Sequence, residues 1–588
     1  MITVVTARGD RDLEMPAEPT LFEHNDRLTR SDLWAWRDAV DRTTRPLAPP
    51  NHDSAGNSDF ESVVAAMGDP EFYPDAPDTV DVRETHISWV FLAGDRAYKL
   101  KKPVVLPFFD YGSVARRREM CEREIELNQR LAGELYLGLR AIVRRDGRLQ
   151  LAPAGPDAIE HVVEMRRFDE TATLAALVAA GRATPEMLAA VGRRLAAFHA
   201  NADSYPVGGE VLSRATQIAN ANFESLLTNG AIDSGRVFAA RRFADAFMAG
   251  HAAILDARAA GGHVREGHGD LRAEHVLIGE TVQVFDCAEF DAALRTVDVG
   301  ADLAFLVMDL ARLGRPDLAR TLVDAYRHAG GDPGPDELIA FHAANRAWVR
   351  AKVAALRGSA PGTPPTRQTD ALDEASELFA LGERLAWQAR LPLTLIVCGP
   401  PASGKSELAR ELSEVSGLPV VSSDKTRKRL AGLQATQRAP QDAYSVSATE
   451  RTYADLGAQA AGQIGVSGGV IVDATFARRA DRQAFSAACV GLPAPLVFEC
   501  RAPAQVIQMR AHGREADPRR ASDAGPQIAA RLRGQFEALA DDVAAARHFA
   551  LRTDQPAARV VEDVIAMLDR RLAEPATAGP PDGTRRWL

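Results

Sequence analysis

The chain has 588 residues, of which 46% are hydrophobic and 26% charged, and its formal net charge is −10. This length predicts several domains, and the composition is typical of a soluble globular protein rather than a disordered or fibrous one. We find no apolar run long enough for a membrane helix and no signal-peptide pattern, so we expect a cytoplasmic protein without membrane partners. Five widely spaced cysteines indicate neither a disulfide framework nor a zinc site. The negative charge disfavours a chain-wide nucleic-acid surface, and small ligands are the expected partners.

The N-terminal part predicts a small sheet followed by helices. Residues 1–80 are rich in turn-forming residues and predict an irregular extension with one or two helices. Two strand-like runs, 85–92 and 96–105, flank an Ala-Gly-Asp turn and predict a hairpin. Helical patterns follow at 119–131, 185–200, 238–260 and 371–389. We therefore place a domain boundary near residue 390.

A phosphate-binding loop follows that boundary. Leu393–Cys398 is a strand-like apolar run, and it leads into the G-x-x-x-x-G-K-S motif of residues 399–406 and a helical pattern ending at Gly417. In such a loop, backbone N–H groups point at phosphate oxygens, and the helix N-terminus adds positive potential. The motif predicts that Gly399, Pro400, Ser403 and Gly404 cradle a nucleoside triphosphate. Lys405 is expected to neutralise the β- and γ-phosphates, and Ser406 to ligate Mg²⁺.

The rest of the C-terminal part alternates short strand-like runs with helical patterns. The runs lie at 418–422, 469–472, 495–500 and 548–552. Such alternation predicts a parallel sheet with helices on both faces.

A second group of residues suited to phosphate transfer lies in the helical region. His268-Gly269-Asp270 is followed, after an apolar run, by Asp286. One carboxylate, Asp270, would orient an acceptor hydroxyl and take its proton, while Asp286 would hold Mg²⁺ against the nucleotide. Lys99 on the predicted hairpin would pair with phosphates and with Glu124 on the next helix, and Lys101 is the alternative lysine. A turn network without catalytic role is the other interpretation of the His-Gly-Asp triplet.

These motifs resemble the aminoglycoside phosphotransferase and protein-kinase-like superfamily, whose loop reads H-G-D-x-x-x-x-N. The segments Thr85–Leu92, Lys99–Val104 and Phe285–Phe290 carry a resemblance to bacterial two-domain proteins that join such a domain to a P-loop kinase domain. The resemblance implies ATP and Mg²⁺ as cofactors and a kinase-like fold of a small antiparallel sheet lobe and a helical lobe. In this chain the family's metal-binding asparagine is His275, and Mg²⁺ prefers oxygen ligands, so we expect weakened or altered metal binding.

The sequence patterns and the resemblance together give the expected domain limits. The predicted fold class is mixed α/β and α+β, with an extension at 1–80, a kinase-like domain at 81–390, a P-loop kinase domain at 391–573 and a disordered tail at 574–588. Residues 163–168 fall where an interlobe hinge belongs. Asp298 and Asp302 begin a helix and are interpreted as caps.

Acceptor and lid residues are predicted in the C-terminal domain. Asp424 and Arg427 form a D-x-x-R pattern that resembles polynucleotide-kinase-like P-loop kinases, in which the acid would activate a hydroxyl and the arginine would clamp an anion. Asp473 ends a predicted strand and would hold Mg²⁺ beside the loop serine. Arg510 and Arg514 lie four residues apart on a predicted helix and resemble a lid that closes over the γ-phosphate.

Three functions are consistent with these patterns. The first is an ATP-dependent phosphotransferase with two nucleotide sites that phosphorylates hydroxyl groups of small molecules. The second is a nucleic-acid 5′-end kinase in the C-terminal half. The third is a nucleotide-sensing regulator whose N-terminal half is a pseudokinase.

Overall fold

The computed structural model describes residues 54–85, 87–106, 109–205, 210–360, 363–489, 493–515, 533–534, 536–539 and 547–574. Within these ranges no helix is long and apolar enough to cross a membrane. Residues 575–588 of the predicted tail, and the predicted extension before residue 54, lie outside the described residues.

The N-terminal lobe is a six-stranded antiparallel sheet in the order β1-β2-β3-β8-β6-β7. Its elements are α1 (Ser54–Met67), β1 (Val80–Glu84), β2 (Ser88–Ala93), β3 (Arg96–Lys101), β4 (Val105–Leu106), β5 (Phe109–Asp110), α2 (Val114–Ala132), β6 (Tyr136–Arg145), β7 (Arg148–Pro153) and β8 (Glu160–Arg166). The predicted hairpin is confirmed as β2 and β3, which pair antiparallel around Gly94 at φ +60°. Its strands are shorter than predicted. One face of the sheet packs Phe91, Leu100 and Val162 against α1.

The helical lobe follows and contains two short two-stranded sheets. Its elements are α3 (Leu174–Ala179), α4 (Pro185–Asn201), α5 (Glu210–Asn229), α6 (Ser234–Gly250), α7 (Ala252–Ala260), β9 (Val264–Glu266), β10 (Val276–Ile278), β11 (Val282–Val284), α8 (Ala292–Arg295), β12 (Thr296–Asp298), α9 (Val299–Arg312), α10 (Pro316–His328), α11 (Asp336–Gly358) and α12 (Pro365–Gln388). The prediction of one helix over 238–260 is wrong. The helix is interrupted at His251, whose backbone is not helical. The Nδ1 atom of His251 lies 2.9 Å from the carbonyl oxygen of Phe247. Leu378 and Phe379 of α12 join the core of this lobe beside Trp348.

The C-terminal part is a five-stranded parallel sheet in the order β14-β15-β13-β16-β17. Its elements are β13 (Leu393–Cys398), α13 (Lys405–Ser416), β14 (Val420–Ser422), α14 (Ser423–Leu430), α15 (Val446–Ser467), β15 (Gly469–Asp473), α16 (Arg479–Ala488), β16 (Leu496–Arg501), α17 (Ala504–Glu515), β17 (His548–Arg552) and α18 (Ala557–Leu572). Alternate residues of β13 enter different cores, because side chains alternate across a strand. Leu395 and Val397 pack with α13 and α18, whereas Ile396 and Cys398 pack with α15. The predicted fold class is therefore confirmed.

The last helix of the parallel-sheet domain contacts the helical lobe. Asp569 near the end of α18 is fully buried and accepts hydrogen bonds from Arg390, at 2.6 and 3.1 Å, and from Arg242, at 3.0 Å. The guanidinium of Arg390 also lies 4.2 Å from the ring centroid of Phe243. An ion-paired cluster thus joins residues separated by more than 300 positions, and it holds α18 against α6.

Candidate active sites

The His-Gly-Asp loop is fixed by a buried carboxylate. Asp302 is fully buried and accepts hydrogen bonds from the backbone N–H groups of His268, at 2.7 Å, and Gly269, at 2.8 Å. Its Oδ2 also lies 3.1 Å from Nε2 of His199. The prediction that Asp302 is a helix cap is wrong, since its oxygens face the loop rather than the N-terminus of α9. Asp298 does cap α9, as predicted, by accepting a backbone hydrogen bond at 2.7 Å.

The loop histidine connects the loop to the strand that precedes Asp286. Nδ1 of His268 lies 3.3 Å from the backbone N–H of Asp270, and its Nε2 lies 3.0 Å from the carbonyl oxygen of Phe285. An N–H can only donate and a carbonyl can only accept, so these partners select the neutral tautomer with the proton on Nε2. Burial lowers the pKa of His268 to about 4, which keeps the ring neutral.

Lys99 and Lys101 form an alternating chain of charges with three carboxylates. Lys99 Nζ lies 2.8 Å from Glu124 and 2.7 Å from Asp286, so the structure brings these three predicted residues together. Lys101 Nζ lies 2.7 Å from the other oxygen of Glu124 and 2.6 Å from Glu289. Burial acts to lower the pKa of Lys99, but Asp286 and Glu124 outweigh it and hold the pKa well above its usual value. Because Lys101 is fully buried, Lys99 is the lysine that can reach a ligand.

Two members of this network escaped the sequence analysis. Glu289 accepts hydrogen bonds from Lys101 and, at 3.0 Å, from the hydroxyl of Tyr111. Both residues are buried. A charged residue inside the otherwise apolar run after Asp286 is the signal that could have identified Glu289.

Asp286 has a constrained backbone and a strongly perturbed carboxyl group. Its φ is +62°, in the left-handed region that non-glycine residues rarely adopt. Burial acts to raise the pKa of Asp286, but Lys99 outweighs it and holds the pKa far below its usual range. Its Oδ2 lies 3.5 Å from Nε2 of His275, so the two predicted metal ligands are neighbours.

Arg272 contacts the other residues of the loop and was not predicted. Its Nε lies 3.0 Å from Oδ2 of Asp270, and one terminal nitrogen lies 2.8 Å from Nε2 of His275. It also pairs with Glu274. These residues do not fit Mg²⁺, because a guanidinium and an imidazole stand where oxygen ligands would be needed. Among the described residues no group of three or more histidine, cysteine, aspartate or glutamate side chains could hold a metal ion.

The phosphate-binding loop has the backbone shape that its glycines predict. Gly399 has φ +138°, and a Cβ there would lie 2.7 Å from the carbonyl oxygen of Cys500. Gly404 has φ +97° at the start of α13. Lys405 is only 6% exposed, yet no ion pair to it is found within the described part of the chain. The hydroxyl of Ser403 is buried and likewise makes no hydrogen bond there. A phosphate-binding loop in which buried Lys405 has no ion-pair partner among the described residues suits a polyanionic ligand.

The carboxyl ends of three parallel strands bring the other predicted residues to the same edge. Asp473 is opposite Val397 of β13 and Ser422 of β14 in the strand register. Asp424 lies in the first turn of the helix after β14. Ser406, exposed in the first turn of α13, and Asp473 would supply oxygen ligands, which suit Mg²⁺.

The predicted acceptor and lid arginines are in protein contacts. Arg427 donates to the carbonyl of Ala443 at 2.7 Å, and its guanidinium lies 4.7 Å from the ring centroid of Tyr444. Arg510 donates to the carbonyl of Thr553 at 2.6 Å. The side chain of Arg514 lies outside the described residues. The substrate-clamping and lid roles of these arginines stay predictions.

A cavity of about 420 Å³ adjoins the loop and was not predicted. Its lining includes Gly404, Leu408, Arg510, Thr553 and Pro556. The hydroxyl of Thr553 donates to the carbonyl of Ser403 at 2.5 Å, which fixes this wall against the loop. Pro556, which follows β17 closely, is the sequence feature that could have indicated this wall of the cavity.

Several known proteins are similar to parts of this chain. The AAA domain family profile matches residues 395–539. A gluconokinase structure from Sinorhizobium meliloti is 20% identical, with a TM-score of 0.23, and covers 31% of this chain and 95% of its own. A choline/ethanolamine kinase family structure from Mesorhizobium loti is 14% identical, with a TM-score of 0.33. The match covers 56% of this chain and 99% of the chain in that structure. These two likenesses concern the fold alone.

A longer match comes from Mycobacterium tuberculosis. The uncharacterized protein Rv2004c is 35% identical over 463 residues, which cover 77% of this chain and 89% of that protein. The match therefore spans most of both chains rather than one half. The chain belongs to the same protein family as Rv2004c, and its C-terminal half carries the AAA-type P-loop domain.

Proposed function

We propose that the protein is an ATP-dependent phosphotransferase with two nucleotide sites, acting on hydroxyl groups of small molecules. The observation that carries this proposal is the phosphate-binding loop. Lys405 is buried without an ion-pair partner in the described structure, Ser403 has an unpaired buried hydroxyl, and a cavity of about 420 Å³ adjoins them. Burying an unpaired cation is costly, so such a site is built for an anion.

In the C-terminal site each element has a separate task. Loop amides and Lys405 would hold the phosphates, and the cavity between Arg510 and Pro556 would take the nucleoside. Ser406 and Asp473 would hold Mg²⁺, which supplies charge neutralisation on the phosphate oxygens when bound. Asp424, half-buried at the same edge, would accept the proton of the acceptor hydroxyl.

In the N-terminal site the lysine-carboxylate chain would position the nucleotide. Lys99 is fixed by Glu124 and Asp286 and is the cation that would neutralise a phosphate. Asp270, held in a loop anchored by Asp302, would accept the acceptor proton. A regulator with an N-terminal pseudokinase is the second candidate function, favoured by His275 in place of an asparagine.

Separable loss of two activities tests the proposal. ADP release by the full chain is measured with a panel of sugars, nucleosides and aminoglycosides. Lys405→Ala and Asp270→Ala should each abolish one activity and spare the other. The matched controls are Arg570→Ala and Glu280→Gln, which change exposed charges outside the proposed sites.

Two outcomes would contradict this function. Loss of both activities through one substitution would refute two independent sites. Phosphate transfer to a 5′-hydroxyl oligonucleotide, with none to the small molecules, would favour the nucleic-acid end kinase.

A further inference from the structure

The guanidinium of Arg272 lies beside the Asp270 carboxylate and the His275 ring of the N-terminal site. It lies 3.0 Å from Asp270 and 2.8 Å from His275, and it pairs with Glu274. Its charge is also among those that act on the carboxyl group of Asp286. With 19% of its side chain exposed, the guanidinium is set in the protein yet accessible to a ligand.

His275 has no lone pair left for a metal ion. Its Nδ1 lies 2.9 Å from the carbonyl oxygen of Asp270, which can only accept, so Nδ1 carries the proton. Its Nε2 faces a nitrogen of Arg272, which can only donate, so the remaining lone pair accepts that hydrogen bond. An asparagine in this position would offer an amide oxygen instead.

Asp286 by itself cannot replace the missing ligands. Its Oδ1 lies 2.7 Å from Lys99 Nζ, and its Oδ2 faces His275 at 3.5 Å. Mg²⁺ requires near-octahedral oxygen coordination, and the two carboxylates of this site, Asp286 and Asp270, are engaged by Lys99 and Arg272.

We propose that the N-terminal site binds a nucleoside triphosphate without a divalent cation, and that Arg272 contacts the phosphates in the place of the metal ion. This inference rests on the proposed N-terminal nucleotide site. Arginine keeps its charge at all physiological pH values, and its planar fork can contact two phosphate oxygens at once. Lys99, which pairs with Asp286, and Arg272, which pairs with Asp270, then supply the two positive charges for the phosphates.

The test uses the full chain with Lys405→Ala and Ser406→Ala, which remove the main ligands of the phosphate-binding loop. A fluorescent ATP analogue is titrated in excess EDTA and in excess Mg²⁺. The two dissociation constants should agree within about twofold, a difference below 1 kcal/mol. Adding Arg272→Gln should weaken binding in EDTA by roughly tenfold or more, the scale of one charge-assisted contact. Arg272→Lys should retain part of the affinity, and Arg320→Gln, an exposed change in the same lobe, should retain all of it.

The outcomes separate the inference from the function on which it rests. Binding that disappears in EDTA and returns with Mg²⁺ would overturn the inference and leave the nucleotide site intact. Absence of binding under both conditions would refute the N-terminal nucleotide site, and the inference with it. If Arg272→Gln fails to fold, the comparison of EDTA with Mg²⁺ and the Arg272→Lys variant decide the matter.

Discussion

Replacing Asp569 by alanine removes the acidic centre of the contact between the two halves of the chain. Its side chain is 1% exposed and accepts two hydrogen bonds from Arg390 and one from Arg242. Arg390 is itself only 6% exposed at its side chain, whereas Arg242 is 43% exposed. Without Asp569, Arg390 would remain buried without its carboxylate, while Arg242 could turn to water.

The expected loss follows from that difference in burial. Breaking a buried ion pair by removing one partner costs about 3–5 kcal/mol, because the other charge stays uncompensated. An exposed pair contributes at most about 1 kcal/mol, so Arg242 adds little. We therefore expect Asp569→Ala to lower the free energy of unfolding by about 3–5 kcal/mol. A loss of 3 kcal/mol lowers the melting temperature of a domain of 150–250 residues by roughly 6–12 °C.

Calorimetry and urea unfolding of the full chain measure this effect. Glu562→Ala on the same helix is the matched control, since its ion pair with Arg559 is exposed and should change stability by less than about 0.5 kcal/mol. The double change Asp569→Leu with Arg390→Met should recover much of the loss, because it removes both charges. Equal, small effects of Asp569→Ala and Glu562→Ala would refute the reasoning.

Three further predictions concern a histidine, a lysine and a glycine. Burial lowers the pKa of His342 to about 4, so the unfolded chain takes up a proton near pH 6.5 before the folded chain does. Stability should therefore fall as pH drops from 6.5 to 4, and His342→Leu should reduce that fall, measured by urea unfolding, by up to roughly 3 kcal/mol. Lys101→Met leaves Glu289 without its lysine and should lower the free energy of unfolding, again measured with urea, by about 3–5 kcal/mol. Gly399→Ala should abolish nucleotide binding to the loop in a titration, because its Cβ would meet a backbone carbonyl at 2.7 Å.

Each of these predictions has a control or a contrary outcome. An unchanged pH dependence in His342→Leu would show that this imidazole binds its proton at the same pH in the folded and the unfolded chain, and would refute the prediction. If the loss of stability in Lys101→Met with Glu289→Leu equals the sum of the losses in the two single variants, the two residues are not coupled. Gly462→Ala is the control for the loop glycine, since a Cβ there meets nothing within 4 Å and should stabilise α15 by about 0.5–1 kcal/mol.

Local sequence patterns were sufficient to predict the elements that depend on residues adjacent in the chain. The phosphate-binding loop and the hairpin around Gly94 were predictable because a turn or a strand-to-helix connection needs particular residues next to one another. Strands β6 to β8 were missed. Their exposed face carries arginines, and only pairing with β3 and with one another makes the segment a sheet.

Side-chain contacts between distant positions were not predictable in the same way. Asp302 follows the residues that it anchors by 34 and 33 positions, and Glu289 is 188 residues from Lys101. The predicted cap role of Asp302 was wrong because a carboxylate at a helix start can turn toward the helix or away from it. The packing of the surrounding segments decides between these two orientations. Helical periodicity in the sequence carries no information about that packing.

The sequence by itself determined that the chain carries a phosphate-binding loop, and it identified the residues that could carry phosphate-transfer chemistry. These conclusions depend on residue types at short spacing, which set backbone shape and available charge. Only the tertiary structure decided that Lys99 pairs with Asp286, that Lys101 is buried while Lys99 is accessible, and that Asp569 joins the halves. The reason is physical: burial and ion pairing are properties of neighbours in space, and here those neighbours come from widely separated segments.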